Sequence, residues 1–290
     1  MSANEARRDL SEKIRLELQL ASEIRSIHRQ IVRQTIKEYS ATGRPFDAKN
    51  LSDELTSTLK DHYDHVGMSF DNQITDILPS DIEATEEERA AITAALTTFF
   101  ALRALEQSEI ITATNQKDID DSIDQSIMMS QEAEEPQTRI DLAFVAGAIL
   151  SRKLNGRVSG IATLETQSVA EAAKATEAQI LTFQPPSVTG GTPREAPVTK
   201  EWVTVGDERV RTAHIGADSQ VQTLNQPFVV GGQLLRWPGD TSLGATPGNV
   251  INCRCSSVVN AQNVFAIRRQ RGELPMIDQT ASEQLLTSLG

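Results

Sequence analysis

Between residues 5 and 42, Leu20, Ile24, Ile27 and Ile31 recur at 4-3-4 spacing, and Leu10 and Ile14 extend the stripe. That period puts all six on one face of a helix, with Glu12, Lys13, Glu23, Arg25 and Arg29 around the rest. The stripe is narrow, which suits a bundle core or a partner helix. Gly43, Arg44 and Pro45 end it. A second helical region, residues 47 to 78, carries Leu51, Leu55, Leu59 and Val66 and stops at Pro79. Thr85 followed by Glu86, Glu87 and Glu88 reads as the start of a third helix, with acids where the helix dipole favours them. Its predicted core stripe is Ile92, Leu96, Phe99, Leu102 and Leu105. An acidic segment, Asp118 to Glu135, holds Ile119, Ile123 and Ile127 at i+4 steps and reads as an amphipathic helix with a solvated face. It lacks the glycine that a calcium loop needs for its turn. Pro136 ends it; Ile140, Phe144, Ala148 and Leu154 mark a further helix, and residues 161 to 181 a last one.

The pattern then changes. Residues 184 to 199 contain Pro185, Pro186, Pro193 and Pro197 beside Gly190-Gly191, which cannot continue a helix and reads as a linker. Phe228-Val229-Val230, Gly231-Gly232 and Leu234-Leu235-Arg236-Trp237 then form a hairpin pattern. The expected fold is therefore a mainly α N-terminal region, residues 1 to 156, and a small, turn-rich α+β C-terminal module, residues 200 to 256. A helix over 157 to 183 and the linker connect them. The tail, 257 to 290, carries a strand signal at Val258-Val259, a basic run from Arg268 to Arg271, and a short helix signal from Ser282.

Composition narrows the function. Only 4% of the 290 residues are aromatic, so the core must rest on aliphatic residues and alanine. The net charge of −12 argues against a broad grip on nucleic acid, which needs a basic face. The N-terminus has no apolar signal core, and the longest apolar stretch, Leu142 to Leu150, is too short to span a bilayer. The expectation is a soluble protein without membrane contact. Two cysteines, Cys253 and Cys255, provide no disulfide framework, as expected in a reducing cytosol.

Residues with chemistry crowd between Lys200 and Cys255: Trp202, Asp207, Arg209, Arg211, His214, Asp218, Pro238-Gly239-Asp240, Asn252, Cys253, Arg254 and Cys255. Three readings compete for them. The plainest makes Asp207, Arg209 and Arg211 a network that holds turns, the cysteines small buried hydrophobes, and His214 a hydrogen-bonded member of the module. A second is a zinc site: on one strand face both thiolates reach one ion, with His214 and either Asp218 or Asp240 completing a tetrahedron. A third is catalysis, with His214 and a cysteine as base and nucleophile and the arginines holding a phosphate. The first is preferred, so no enzyme and no obligatory cofactor are expected. Trp202 and Trp237 are expected as core anchors. His28, His62 and His65 are expected at the surface or an edge.

The order of these residues carries a resemblance. Trp202, the run Gly206 to Arg211, His214, Pro238-Gly239 and a closing Asn252-Cys253-Arg254-Cys255 resemble the C-terminal domain of phage head-morphogenesis proteins of the Mu F type. The segment Ile161 to Thr166 is similar to one found upstream of that domain, so the likeness covers roughly residues 157 to 256. Ser219 stands where that family often has glycine. The resemblance implies a structural minor capsid protein of the virion head, present in host cytoplasm during assembly. It would associate with the portal or major capsid protein near the portal vertex or head interior, and be ejected with DNA in some cases. The alternative is a virion-carried enzymatic effector, nuclease-like or transferase-like.

Overall fold

A computed structural model describes residues 3–71, 73–80, 82–133, 135–182 and 198–270. Four long helices dominate: α1 (Ala3–Thr42), α2 (Ser52–Phe70), α3 (Glu86–Gln131) and α4 (Arg139–Thr182). They are followed by β1 (Thr199–Val203), the single turn α5 (Thr212–Ile215), β2 (Val221–Thr223), β3 (Phe228–Val230), β4 (Gln233–Leu235), the turn α6 (Pro247–Val250), β5 (Ser256–Val259) and α7 (Ala261–Gln270). The protein is thus mainly helical, with a small sheet-bearing C-terminal region, as the periodicities predict.

The helices are longer and fewer than the sequence pattern suggests. The acidic segment is not a separate helix; it continues α3 to Gln131. Likewise the two predicted helices after Pro136 are one, α4. No proline or glycine pair interrupts either stretch, so nothing forces the backbone to leave the helix. The helix starts match the local chemistry. Thr85 and Glu88 form a reciprocal capping box: Thr85 N–H donates to Glu88 Oε2 at 2.9 Å, and Glu88 N–H to Thr85 Oγ1 at 3.1 Å. Thr138 and Asp141 do the same at the start of α4. Among the described residues no helix is long and apolar enough to cross a membrane.

The chain divides into two compact units, each drawing on all four long helices. One comprises Arg15–His62 and Ala101–Ala162. Its core is Leu20, Ile24, Ile27 and Ile31 of α1, Leu55 and Leu59 of α2, Ile119 and Ile123 of α3, and Leu150, Leu154 and Val158 of α4. The α1 stripe is buried as expected, although Ile14 is exposed and the Leu10 side chain lies outside the described ones. The faces of α3 and α4 differ from expectation. Leu102, Leu105, Ile140 and Phe144 are exposed, while Ala104, Ile111, Ala143 and Ala146 are buried. Small residues let neighbouring helices approach: a Cβ at Gly147 would meet Ile36 Cδ1 at 2.5 Å. His28 and His62 are buried here, contrary to the surface reading.

The other unit comprises Met1–Ile14, Tyr63–Phe100 and Thr163–Gly290, and holds the C-terminal module together with the last half of α4. The main sheet is antiparallel in the order β2-β1-β5, with Trp202 opposite Ser257 and Lys200 opposite Gln222. The predicted hairpin forms as β3–β4, pairing Phe228 with Leu235 and Val230 with Gln233. Its two turn residues, Gly231 and Gly232, sit at φ 59° and 77°, which glycine alone adopts freely. The strand at Val258-Val259 is the end of β5. Arg268 of α7 is not a solvated base: it is buried and holds Glu88 through two hydrogen bonds of 2.7 and 2.9 Å. Arg271, most of the Pro-rich linker and the helix signal from Ser282 lie outside the described residues.

Candidate metal site in the C-terminal module

Trp202 on β1 is the centre of the module. It is fully buried with Ala217, Phe228, Val230, Leu235, Val250, Cys253 and Cys255. Its indole meets the His214 ring edge-on at 5.7 Å and the Phe228 ring at 5.3 Å. Trp237 is buried in a different place, against Ala172 and Ala175 of α4. Both tryptophans are therefore anchors, one inside the module and one between it and its supporting helix.

The chain enters β5 through Asn252, which is exposed at φ 56°, a left-handed conformation that asparagine tolerates. Beyond it the alternation of an extended chain buries Cys253 and Cys255 on one side and leaves Arg254 on the other. His214, on α5, faces the two thiols. Its Nδ1 lies 3.3 Å from Cys255 Sγ and 3.6 Å from Cys253 Sγ. Its Nε2 lies 3.0 Å from the backbone carbonyl oxygen of Asn249 and 3.0 Å from that residue's Oδ1. A carbonyl oxygen only accepts, so Nε2 carries a proton; Nδ1, which faces the sulfurs, accepts or binds a metal when the ring is neutral and donates to the Cys253 thiolate when the ring is protonated. Asn249 is held in turn by its Nδ2, which donates to Val230 O at 2.9 Å.

The electrostatics favour a thiolate. The hydrogen bond from Cys255, helped by His214, overcomes burial and lowers the Cys253 pKa to about 5. Cys255 is pushed up by donating to Cys253 and by burial, so it keeps its proton. His214 is raised, first by its hydrogen bond with Cys253. Among the described residues the buried Trp202 indole Nε1 has no hydrogen-bond partner of good geometry, and its proximity lowers the Cys255 pKa by less than Cys253 and burial raise it.

His214, Cys253 and Cys255 form a group whose ligand atoms all lie within 4.8 Å of one another, all three buried. Neither Asp218 nor Asp240 joins that group. Asp218 Oδ1 accepts from Thr204 N–H at 2.8 Å and secures the chain leaving β1. Asp240 is buried in the turn that follows Pro238 and Gly239, where Gly239 takes φ 87°. Its carboxylate accepts from Arg236 N–H at 2.8 Å, and from Ser242 N–H at 3.0 Å and Ser242 Oγ at 2.6 Å. It clamps a loop.

The arginines ring the same place. A small cleft is lined by Arg209, Arg211 and Arg254 together with His214, Cys253 and Cys255. Asp207 Oδ1 accepts from Arg254 Nη2 at 2.8 Å and from Arg209 N–H at 3.0 Å, and Arg254 holds its carboxyl below the usual range. Arg211 Nη2 donates to Ile251 O.

Several residues that matter were not legible beforehand. Gln167 Nε2 donates to Cys255 O at 2.7 Å, tying the cysteine segment to α4. One turn on, buried Glu171 accepts from Ser257 N–H at 2.8 Å, Ser256 Oγ at 2.8 Å, Lys13 Nζ at 2.6 Å and Lys174 Nζ at 2.7 Å. Burial alone would raise its pKa; Lys13 and Lys174 reverse this and hold it far below the ordinary carboxylate value. Lys200 is buried, donates to Arg236 O at 2.7 Å and is lowered to about 8 by desolvation. The only sequence signal was a set of charged residues, Glu171, Lys174 and Glu177, in an alanine-rich stretch of α4 that is buried almost all round. Asn249 gave none: the asparagine at the histidine is Asn249, while Asn252 shapes the backbone. Comparison with protein-family models, with curated proteins and with solved structures finds no match, so the functional reading rests on this geometry and on the motif itself.

Proposed function

We propose that this chain is a structural minor head protein of the Mu F type, working in the virion by binding portal or capsid protein rather than by catalysis. The observation that carries the reading is the union of the two stretches bearing the resemblance. On the helix that carries Ile161 to Thr166, Gln167 donates to Cys255 O at the end of the motif, and Glu171 accepts from Ser257 N–H just beyond it. A second support is Ser219, which adopts φ 61° at the position where the family often carries glycine, the residue that takes this conformation without strain. The motif side chains also hold the module's own turns: Asp207 with Arg254, Arg211 with Ile251, Asp218 with Thr204, and Asp240 with Ser242. The test is to purify heads from cells expressing the chain with the portal and capsid proteins of its own virus, and to count it by quantitative mass spectrometry. A low, fixed copy number per head is expected; heads that form normally and contain none of it overturn the reading.

In the same reading zinc is the ion for His214, Cys253 and Cys255. With Zn–N near 2.1 Å and Zn–S near 2.3 Å, a tetrahedral ion holds its nitrogen and sulfur ligands roughly 3.6 Å apart. The observed separations are 3.3 and 3.6 Å. The second ring nitrogen of the histidine already rests on a carbonyl, as ligand histidines generally do. Zinc would supply folding energy to a module with a small core. Elemental analysis should find close to one zinc per chain, lost in Cys253→Ser; metal-free protein whose thermal unfolding is unchanged by added zinc and chelator overturns it.

A further inference from the structure

We propose that the fourth coordination position of this zinc takes an oxygen of a phosphate group, held by the arginines of the adjoining cleft. The inference rests on the zinc reading above and names the ligand class of that same site.

Among the described residues the group offers three ligand atoms and no more, whereas zinc takes four ligands. The remaining ligand must therefore come from outside the group. The side from which it can come is the cleft, since His214, Cys253 and Cys255 all line it, whereas Trp202 and Phe228 belong to the buried cluster and do not. At that mouth stand Arg209, Arg211 and Arg254. Asp207 pairs with Arg254. Three cations gathered at one opening stand out in a chain of net charge −12.

The charge balance favours an anion over water. A divalent ion with two thiolates and a neutral imidazole carries no net charge, so an anionic fourth ligand makes the centre negative, and the guanidinium groups offset that. Arg209 and Arg211 both line the cleft, and each guanidinium group carries five N–H donors in a planar fork, one of which Arg211 uses on Ile251 O. Guanidinium forks match carboxylate and phosphate alike. A carboxylate has two oxygens, and one would be spent on the metal. A phosphate gives one to the metal and keeps further oxygens for the arginines. Binding is a ligand exchange: the phosphate oxygen replaces the water on zinc, and no covalent bond of the protein changes.

The test uses the full chain loaded with Co2+ in place of zinc, whose visible ligand-field bands report a change in the fourth ligand. Inorganic phosphate is titrated at constant ionic strength, with acetate as comparator. Millimolar phosphate should shift the bands saturably and acetate should bind more weakly. Arg209→Ala should raise the phosphate Kd by about tenfold with Co2+ stoichiometry unchanged, while Arg209→Lys restores part of the affinity. Bands that phosphate leaves unmoved, phosphate binding that Arg209→Ala does not weaken, or acetate binding as tightly as phosphate each overturn this proposal and leave the metal site standing. Protein that takes up neither Co2+ nor zinc overturns the metal reading and this proposal with it.

Discussion

Two histidines of this protein are equally hidden, each 2% exposed, and they behave in opposite ways. His28 lies in the helical unit of Arg15–His62 and Ala101–Ala162, and among the described residues neither of its ring nitrogens makes a hydrogen bond of normal geometry, the Leu154 backbone only partly favouring the charged ring. Burial, and then the nearby Arg157 cation, drive its pKa down to about 4. His214 lies in the C-terminal module with both nitrogens engaged, and Cys253 and Asn249 raise its pKa against the cost of burial. Burial alone therefore does not set the behaviour of a polar group; the partners arranged around it do. An apolar surrounding makes a poorly paired imidazole costly, and the large aliphatic core of the helical unit offsets that cost. The module has a small core and holds its polar groups through named partners.

That contrast can be broken at four places. The largest effect is expected from Glu171, the most heavily partnered buried group. Glu171→Ala strands Lys13 and Lys174 without their carboxylate and should cost about 3–5 kcal/mol, read from chemical denaturation. A loss under about 1 kcal/mol would mean that water enters and replaces the carboxylate as the partner of the two lysines.

The second concerns acid. The folded-state pKa of His28 is lowered, so the unfolded chain takes up the proton first as pH falls. Stability tied to this group is present above the unfolded value of 6.5 and is lost progressively down to about 4. His28→Leu should remove that fall, a difference on the order of 3 kcal/mol between pH 7 and pH 4. Thermal melts of both proteins across this range decide it; parallel curves would show that His28 is hydrated in solution.

The third is the same change in the other region. His214→Leu should destabilise the metal-free protein by about 1–3 kcal/mol, because Asn249 and the two thiols lose their partner. Opposite signs for one substitution at two equally buried histidines, measured near pH 5, would confirm that partners decide; equal signs would refute it. The smallest effect is expected at the rim. Arg254→Ala removes an exposed ion pair with Asp207 and should leave the unfolding midpoint within error of the parent.

The helices were legible because periodicity and capping are local. Thr85 with Glu88, the Leu20-to-Ile31 stripe and the glycine hairpin all act within a few residues of themselves. Which face of α4 would be buried was not legible. Ile140 and Phe144 are the larger hydrophobes, yet Ala143, Ala146 and Gly147 are buried, because close approach of Ile36 rewards small residues. At the candidate site, the spacing of Cys253 and Cys255 announced a shared face, and His214 was the natural third member. Asn249, Gln167 and Glu171 were invisible, since each acts on a residue at least 35 positions away.

By itself, the sequence determined that this chain makes long helices and then a small turn-rich sheet module, and it assembled the list of histidine, thiols and arginines. Only the tertiary structure decided which aspartates clamp loops, which asparagine holds the histidine, and that two sulfurs and one ring nitrogen meet beside a buried tryptophan. Hydrogen-bond and backbone preferences within a turn are encoded locally, whereas the meeting of distant side chains depends on how helices and strands pack, a balance of shape and burial summed over the whole chain.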